Sequence, residues 1–207
     1  MADDDYNFKY IGKINPVSIA QKVVNLPFQI WEEYNYRQKK FDEHCHTQTI
    51  PILFDEDFRL HNPTPTYWYP LFEDVLRNLK QKMFKVYGEG HIIRCILVKL
   101  KARKRIPPHT DSGMTFNLAK RIHVPIVTTD EVVFTVGGEI KNMREGEMWQ
   151  INNSQEHSVH NKSRHDRIHL IFDYVHTKEI EEVYDKLKNH PGWNDVFDKA
   201  FKDKAFK

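Results

Sequence analysis

Cysteine is scarce in this 207-residue sequence: Cys45 and Cys95 are its only two, and they form no CxxC pair. That excludes a disulfide framework and a cysteine-rich zinc module, and it fits a reducing compartment. No apolar run approaches the roughly 18 residues of a membrane-spanning helix, so no membrane partner is expected. A dominant charge is missing too, with 31 Lys+Arg against 29 Asp+Glu and a formal net charge of +2. This disfavours a dedicated nucleic-acid or membrane-surface binder. The opening Met1-Ala2-Asp3-Asp4-Asp5 is acidic where a secretory leader carries Lys or Arg. Together these absences predict a soluble, cytoplasmic protein. With 40% hydrophobic residues the chain can bury a real core, and its length predicts a single domain over residues 1–207.

What is present changes character near residue 90. Residues 1–90 read as a mostly helical or irregular N-terminal region, with helical turns over 16–40 broken at Pro27 and one strand at Thr47–Phe54. The Pro63, Pro65 and Pro70 cluster reads as a loop. Phe72, Leu76, Leu79, Met83 and Val86 then recur at helical spacing, with Gly88 placed to end the helix. Over residues 91–176 the period falls to 2. Strands are expected at 91–100, 121–127, 132–136, 148–151, 157–161 and 167–175, with turns at Pro107-Pro108, Gly137-Gly138 and Gly146. This predicts a mainly β protein with flanking helices around a jelly-roll or cupin-like core. Residues 177–207 return to helical spacing, first through Ile180, Val183, Tyr184 and Leu187 up to Pro191-Gly192, then from Val196 to Phe206.

Histidine is abundant, with 12 residues, so only spacing can choose among them. His109-Thr110-Asp111 places an imidazole and a carboxylate on one face of extended chain. His157, on a later strand, is suitably spaced to close a two-histidine, one-carboxylate triad of the kind that holds Fe(II) by one face. The open face fits a bidentate 2-oxo acid and O2. Ten residues after His157, the fork of Arg167 could pair with a distal carboxylate. Two strands share a pattern, with Arg121 and His123 opposing Ile122, Val124 and Ile126, and Arg167 and His169 opposing Ile168, Leu170 and Phe172. An arginine inside a small barrel is costly unless an anion meets it. The function therefore turns on which face is inner.

The segments RIPPHTD, RIHVPI, VGGEI, REGEMWQINNSQEHSVHN and DRIHLIFD, in this order, resemble the aspartyl/asparaginyl β-hydroxylase family of Fe(II)/2-oxoglutarate dioxygenases. The resemblance covers roughly residues 91–176 and implies a double-stranded β-helix core. Carried over residue by residue, it makes His109, Asp111 and His157 the iron ligands. It makes Arg167 the partner of the distal carboxylate of 2-oxoglutarate, with Arg121 and His123 near the end that chelates iron. The implied cofactors are Fe(II), the cosubstrate 2-oxoglutarate and O2; the implied reaction hydroxylates a C–H bond of an amino acid or peptidyl side chain as 2-oxoglutarate becomes succinate. The best-known animal member has glycine at the carboxylate position, whereas this chain keeps Asp111, like the bacterial and phage-like members. The resemblance specifies neither the substrate nor an oligomeric state.

Competing readings attach to several residues. A non-catalytic cupin-like binding module or a zinc-dependent hydrolase could use the same His/Asp/His set, but both leave the inward arginines unexplained. His160 competes with His157, and in a strand the two face opposite ways. Trp149, Phe134 and Phe172 read as core packing. The basic run Lys99, Lys101, Arg103, Lys104 and Arg105 reads as a solvated strand edge. His44-Cys45-His46 lacks a fourth metal ligand nearby.

Overall fold

The computed structural model describes residues 6–55, 63–111 and 114–188. The N-terminal region gives strand β1 (Phe8–Lys13), short helices α1 (Val17–Val24), α2 (Ile30–Glu33) and α3 (Tyr36–Lys40), and a 3-10 turn at Asp42–His44. Strands β2 (Thr47–Phe54) and β3 (Thr64–Pro65) and helix α4 (Tyr69–Tyr87) follow. Then come β4 (Gly90–Leu100), β5 (Arg105–His109), α5 (Met114–Leu118), β6 (Lys120–Val127), β7 (Val132–Val136), β8 (Glu139–Lys141), β9 (Glu147–Ile151), β10 (His157–Asn161), β11 (Arg167–His176) and α6 (Thr177–Lys188). The helix end at Pro191-Gly192 and the amphipathic piece at 196–206 lie outside the described residues. No helix among those described is long and apolar enough to cross a membrane.

The strands form two antiparallel sheets. The larger runs β1-β9-β6-β11-β4-β2-β3 and the smaller β5-β10-β7-β8. This is the jelly-roll arrangement that alternating residues after position 90 predict. In the N-terminal region β2 is the strand expected at 47–54 and pairs with β4, whereas β1 was not expected and pairs with β9, so the large sheet is extended on both sides.

One face of the large sheet carries the helices. Ile122, Val124, Ile126, Leu170 and Phe172 join Phe72, Leu76, Leu79 and Met83 of α4 in the main core. Val86 falls off this stripe and is 44% exposed. Pro70 lies in the first turn of α4 rather than in a loop, where a missing N–H costs no hydrogen bond. The other face looks toward the small sheet, with the His123 ring edge-on to Phe134 of β7 at 5.1 Å. A second apolar cluster ties the layers together through Phe8, Leu100 and Ile151 from one sheet and Ile106, Phe134, Val136 and Val159 from the other. Arg121, His123, Arg167, His169 and Asp173 are all buried on this inner face. The costly placement for an arginine is the real one.

Local chemistry accounts for the turns. Gly137 and Gly138 link β7 to β8 at φ 54° and 83°, the two positive values of a type I′ hairpin turn that glycine adopts without strain. Pro107-Pro108 is not the expected turn: both prolines lie within β5, at the end of the small sheet, where a missing donor removes no ladder bond.

Candidate metal and cosubstrate site

The pairing of β5 with β10 sets His109 directly opposite His157, with ring centroids 4.3 Å apart. Each Nδ1 donates to a backbone carbonyl two residues upstream, His109 to Pro107 at 2.9 Å and His157 to Gln155 at 3.0 Å. A carbonyl can only accept, so both Nδ1 atoms carry a proton and Nε2 is the atom each ring has to offer a metal. Burial pulls the His157 pKa below its usual value, which keeps the ring neutral. Beyond the end of β5 the Asp111 N–H donates to the Asn153 carbonyl at 3.1 Å. One ligand atom from each of His109, Asp111 and His157 falls within 4.8 Å of the others. Two imidazoles and one carboxylate form a donor set that suits Fe(II) with open positions.

Arg121 organises the carboxylates. Its Nε and Nη2 donate to the two oxygens of Asp173, each at 2.9 Å, and its Nη1 donates to Asp111. Arg94 Nη1 adds an ion pair to Asp173 at 3.2 Å. Burial alone would raise the Asp173 pKa, but the Arg121 and Arg94 guanidiniums outweigh it and hold the carboxyl below the ordinary range.

Arg167 differs. It is 1% exposed and has no carboxylate in ion-pair range among the described residues. Its one hydrogen bond runs from Nη2 to His169 Nδ1 at 2.6 Å, and its Nε has no partner. Because Arg167 can only donate, His169 Nδ1 accepts and its proton sits on Nε2, which is also buried and unpartnered. His123 Nδ1 approaches His169 Nδ1 at 3.5 Å, and the buried His123 Nε2 is a third unsatisfied atom. Burial with no compensating anion pulls the Arg167 pKa down to about 9.

The structure therefore brings His109, Asp111 and His157 together and buries Arg167 beside His169 and His123. Arg121 sits on Asp111 and Asp173, with each guanidinium nitrogen already donating. His160 is exposed, on the opposite face of β10 from His157. Phe134 and Phe172 are core residues, and Trp149 packs against the second cluster. Lys99 departs from the solvated-edge expectation, being buried with Nζ 4.0 Å from the Trp31 ring centroid; Lys101, Arg103, Lys104 and Arg105 are exposed. His44 was missed as a site residue: its ring stands edge-on to His109 at 5.6 Å and its Nε2 accepts from Arg37 Nη2 at 2.8 Å. Burial and Arg37 push the His44 pKa down to about 2. Arg37, Arg94 and Asp173 were also missed; no spacing rule links them to the triad.

Residues 70–177 match the profile of the aspartyl/asparaginyl beta-hydroxylase family. The chain belongs to this family. As a β-hydroxylase family member it is an enzyme of the 2-oxoglutarate-Fe(II) oxygenase class, and solved structures agree on the fold. HygX from Streptomyces hygroscopicus, with nickel and 2-oxoglutarate bound, is 12% identical with TM-score 0.53, covering 84% of each chain. An oxidoreductase of the 2OG-Fe(II) oxygenase family from Burkholderia pseudomallei is 15% identical with TM-score 0.51, covering 78% of this chain and 90% of its own. The viral collagen prolyl hydroxylase of Paramecium bursaria Chlorella virus-1, in complex with 2OG, is 9% identical with TM-score 0.51, covering 86% of this chain and 99% of its own. No curated protein matches the chain in sequence.

Proposed function

We propose that the protein is an Fe(II)/2-oxoglutarate dioxygenase that hydroxylates a C–H bond of an amino acid or peptidyl side chain. His109, Asp111 and His157 hold the iron, and Arg167 binds the distal carboxylate of 2-oxoglutarate. Arg167 carries this reading. A buried cation without a counter-anion is several kcal/mol unfavourable, roughly, so an anion belongs beside it. A dicarboxylate bound to the metal at one end and Arg167 at the other supplies that charge. A zinc hydrolase or a non-catalytic binding module leaves Arg167 uncompensated.

When bound, iron and O2 supply the oxidising chemistry that converts 2-oxoglutarate to succinate and CO2 and hydroxylates the substrate. The protein's own part is placement. The backbone carbonyls of Pro107 and Gln155 orient the two Nε2 donors, the outer support usual for metal-binding histidines. Arg121 takes one side of the Asp111 carboxylate and so acts on a metal ligand, close to the iron-chelating end of the cosubstrate where the family resemblance puts it. His169 steers the Arg167 fork, and its Nε2–H and the neighbouring His123 offer the cosubstrate further polar contacts.

Anaerobic addition of Fe(II) and 2-oxoglutarate tests the proposal, because a visible metal-to-ligand charge-transfer band arises only when both chelate together. Wild type and His160→Ala are expected to give the band. Asp111→Ala and His157→Ala are expected to lose it, together with succinate formation in air. A wild-type protein that binds both without the band would overturn the reading.

A further inference from the structure

Two turns at the end of the sheets away from the metal site bring together charges that are far apart in the chain. The turn at 101–104 joins β4 to β5, and the turn at 162–166 joins β10 to β11. The Arg103 N–H donates to the Ser163 carbonyl at 3.1 Å, the Asn161 N–H to the Lys104 carbonyl at 3.0 Å, and the Ala102 N–H to Asp166 Oδ1 at 2.8 Å. Asn161 is fully buried, and its Nδ2 donates to the carbonyls of Leu100, Lys101 and His165. The fused turns expose Lys101, Arg103, Lys104, Lys162 and Arg164, with Arg105 beside them at the start of β5. Asp166 is the one carboxylate in either turn, and none of the six cations forms an ion pair among the described residues. His109 and His157 stand at the opposite ends of β5 and β10, roughly 13 Å away along each strand.

Nothing in the fold requires this concentration of charge. Six cations held on hydrogen-bonded turns repel one another, while the whole chain carries a net charge of only +2, so the rest of the chain is net acidic. Arg103 has φ 58°, in the left-handed region that glycine enters without strain, and it is the only non-glycine residue there among those described. Stability favours glycine at this position, yet the chain keeps a cation. Repulsion and strain both point to an anionic partner that offsets them. Its chemistry follows from what the surface lacks. The two turns hold no Phe, Tyr, Trp or large aliphatic side chain. They therefore offer no apolar anchor for a protein, no group to enter a bilayer and no indole or phenyl platform for unpaired bases. Asn161 and Ser163 are spent on each other and on the turn backbone, so no hydroxyl or amide is left to read an RNA 2′-hydroxyl. We infer that these turns dock the enzyme on the phosphate backbone of duplex DNA without reading its sequence, leaving the metal site at the far end open.

Fluorescence anisotropy of a short labelled DNA duplex, titrated with the full-length protein over a range of salt concentrations, tests this. The logarithm of the affinity is expected to fall with the logarithm of salt at a slope of about −0.9 per phosphate contacted, equally for duplexes of unrelated sequence. Arg103→Gly relieves the strained backbone, so it should unfold at the wild-type temperature or above while the slope flattens by about 1. Combining it with Arg164→Ala should flatten the slope by about 2; if the pair fails to fold, Arg103→Gly alone carries the comparison. Lys80→Ala with Lys82→Ala removes the same charge from the exposed side of α4 and should leave the slope unchanged. Wild-type protein that fails to bind the duplex at low salt overturns the inference, as does a slope that responds equally to charges removed from α4. Binding of poly-glutamate as tight as that of the duplex would assign the surface to an acidic protein, and tighter binding of duplex RNA would assign it to RNA; either result overturns the DNA assignment.

Discussion

Among individual residues, Arg167 has the most to lose and gain. Arg167→Lys keeps the charge but not the bidentate fork. A charge-assisted bond contributes roughly 1.5–3 kcal/mol, so 2-oxoglutarate affinity should fall about tenfold or more. Titrating the charge-transfer band measures this, while metal binding without cosubstrate should hardly change. Arg167→Met removes a buried cation that has no counter-anion in the ligand-free protein. The variant should therefore lose 2-oxoglutarate binding yet unfold at the same temperature as wild type or higher, with about 1–4 kcal/mol as the upper range from buried charges replaced by apolar groups. A large loss of ligand-free stability would show that Arg167 is structural. The clustering of His109 and His157 and the shared inner face of Arg167 and His169 were legible in the sequence because a strand converts spacing directly into facing, and Asp111 follows two residues after His109. Arg37 and His44 were not, since they reach the site through short helices and a turn whose packing no local period encodes.

At the level of elements, the helix and most strands follow from periodicity. The buried positions of α4 repeat at three and four, and β7 and β10 begin and end where alternation and turn residues predict. Four strands escaped, among them the two-residue β3, Thr64–Pro65, inside the proline cluster expected to be a loop. β1 reads FKYIGK and buries only Phe8, β8 has three residues, and β5 contains two prolines that mimic a turn. Leu79, 1% exposed, faces the sheet from the middle of α4. Leu79→Ala should cost about 2–5 kcal/mol in denaturant unfolding, the range for a truncated core leucine. Gly138→Ala, at φ 83° with no heavy atom near its added Cβ, should cost only about 1 kcal/mol of backbone strain. A cost for Gly138→Ala equal to that of Leu79→Ala would contradict the hairpin assignment.

For the whole molecule, ligand binding and folding are linked through a site that both sheets build: the proposed metal ligands lie on and beside the small sheet and the cosubstrate arginine on the large one. Metal and 2-oxoglutarate together should stabilise the fold more than either alone, by about 2.7 kcal/mol for a ligand at a hundred times its Kd. Thermal unfolding with and without a chelator measures this, and full retention of the shift after chelation would separate cosubstrate binding from the metal. The ends of the two sheets carry a different consequence. β1 has a register shift between Tyr10 and Gly12 and two lysines, β3 has two residues and ends in Pro65, β5 holds Pro107 and Pro108, and β8 is Glu139-Ile140-Lys141. Each is too short, too kinked, too charged or too poor in donors to template a strand from another copy. With the four described edges blunted in this way, folded copies offer little backbone to pair with, and strand-to-strand association is expected of chains that have already unfolded.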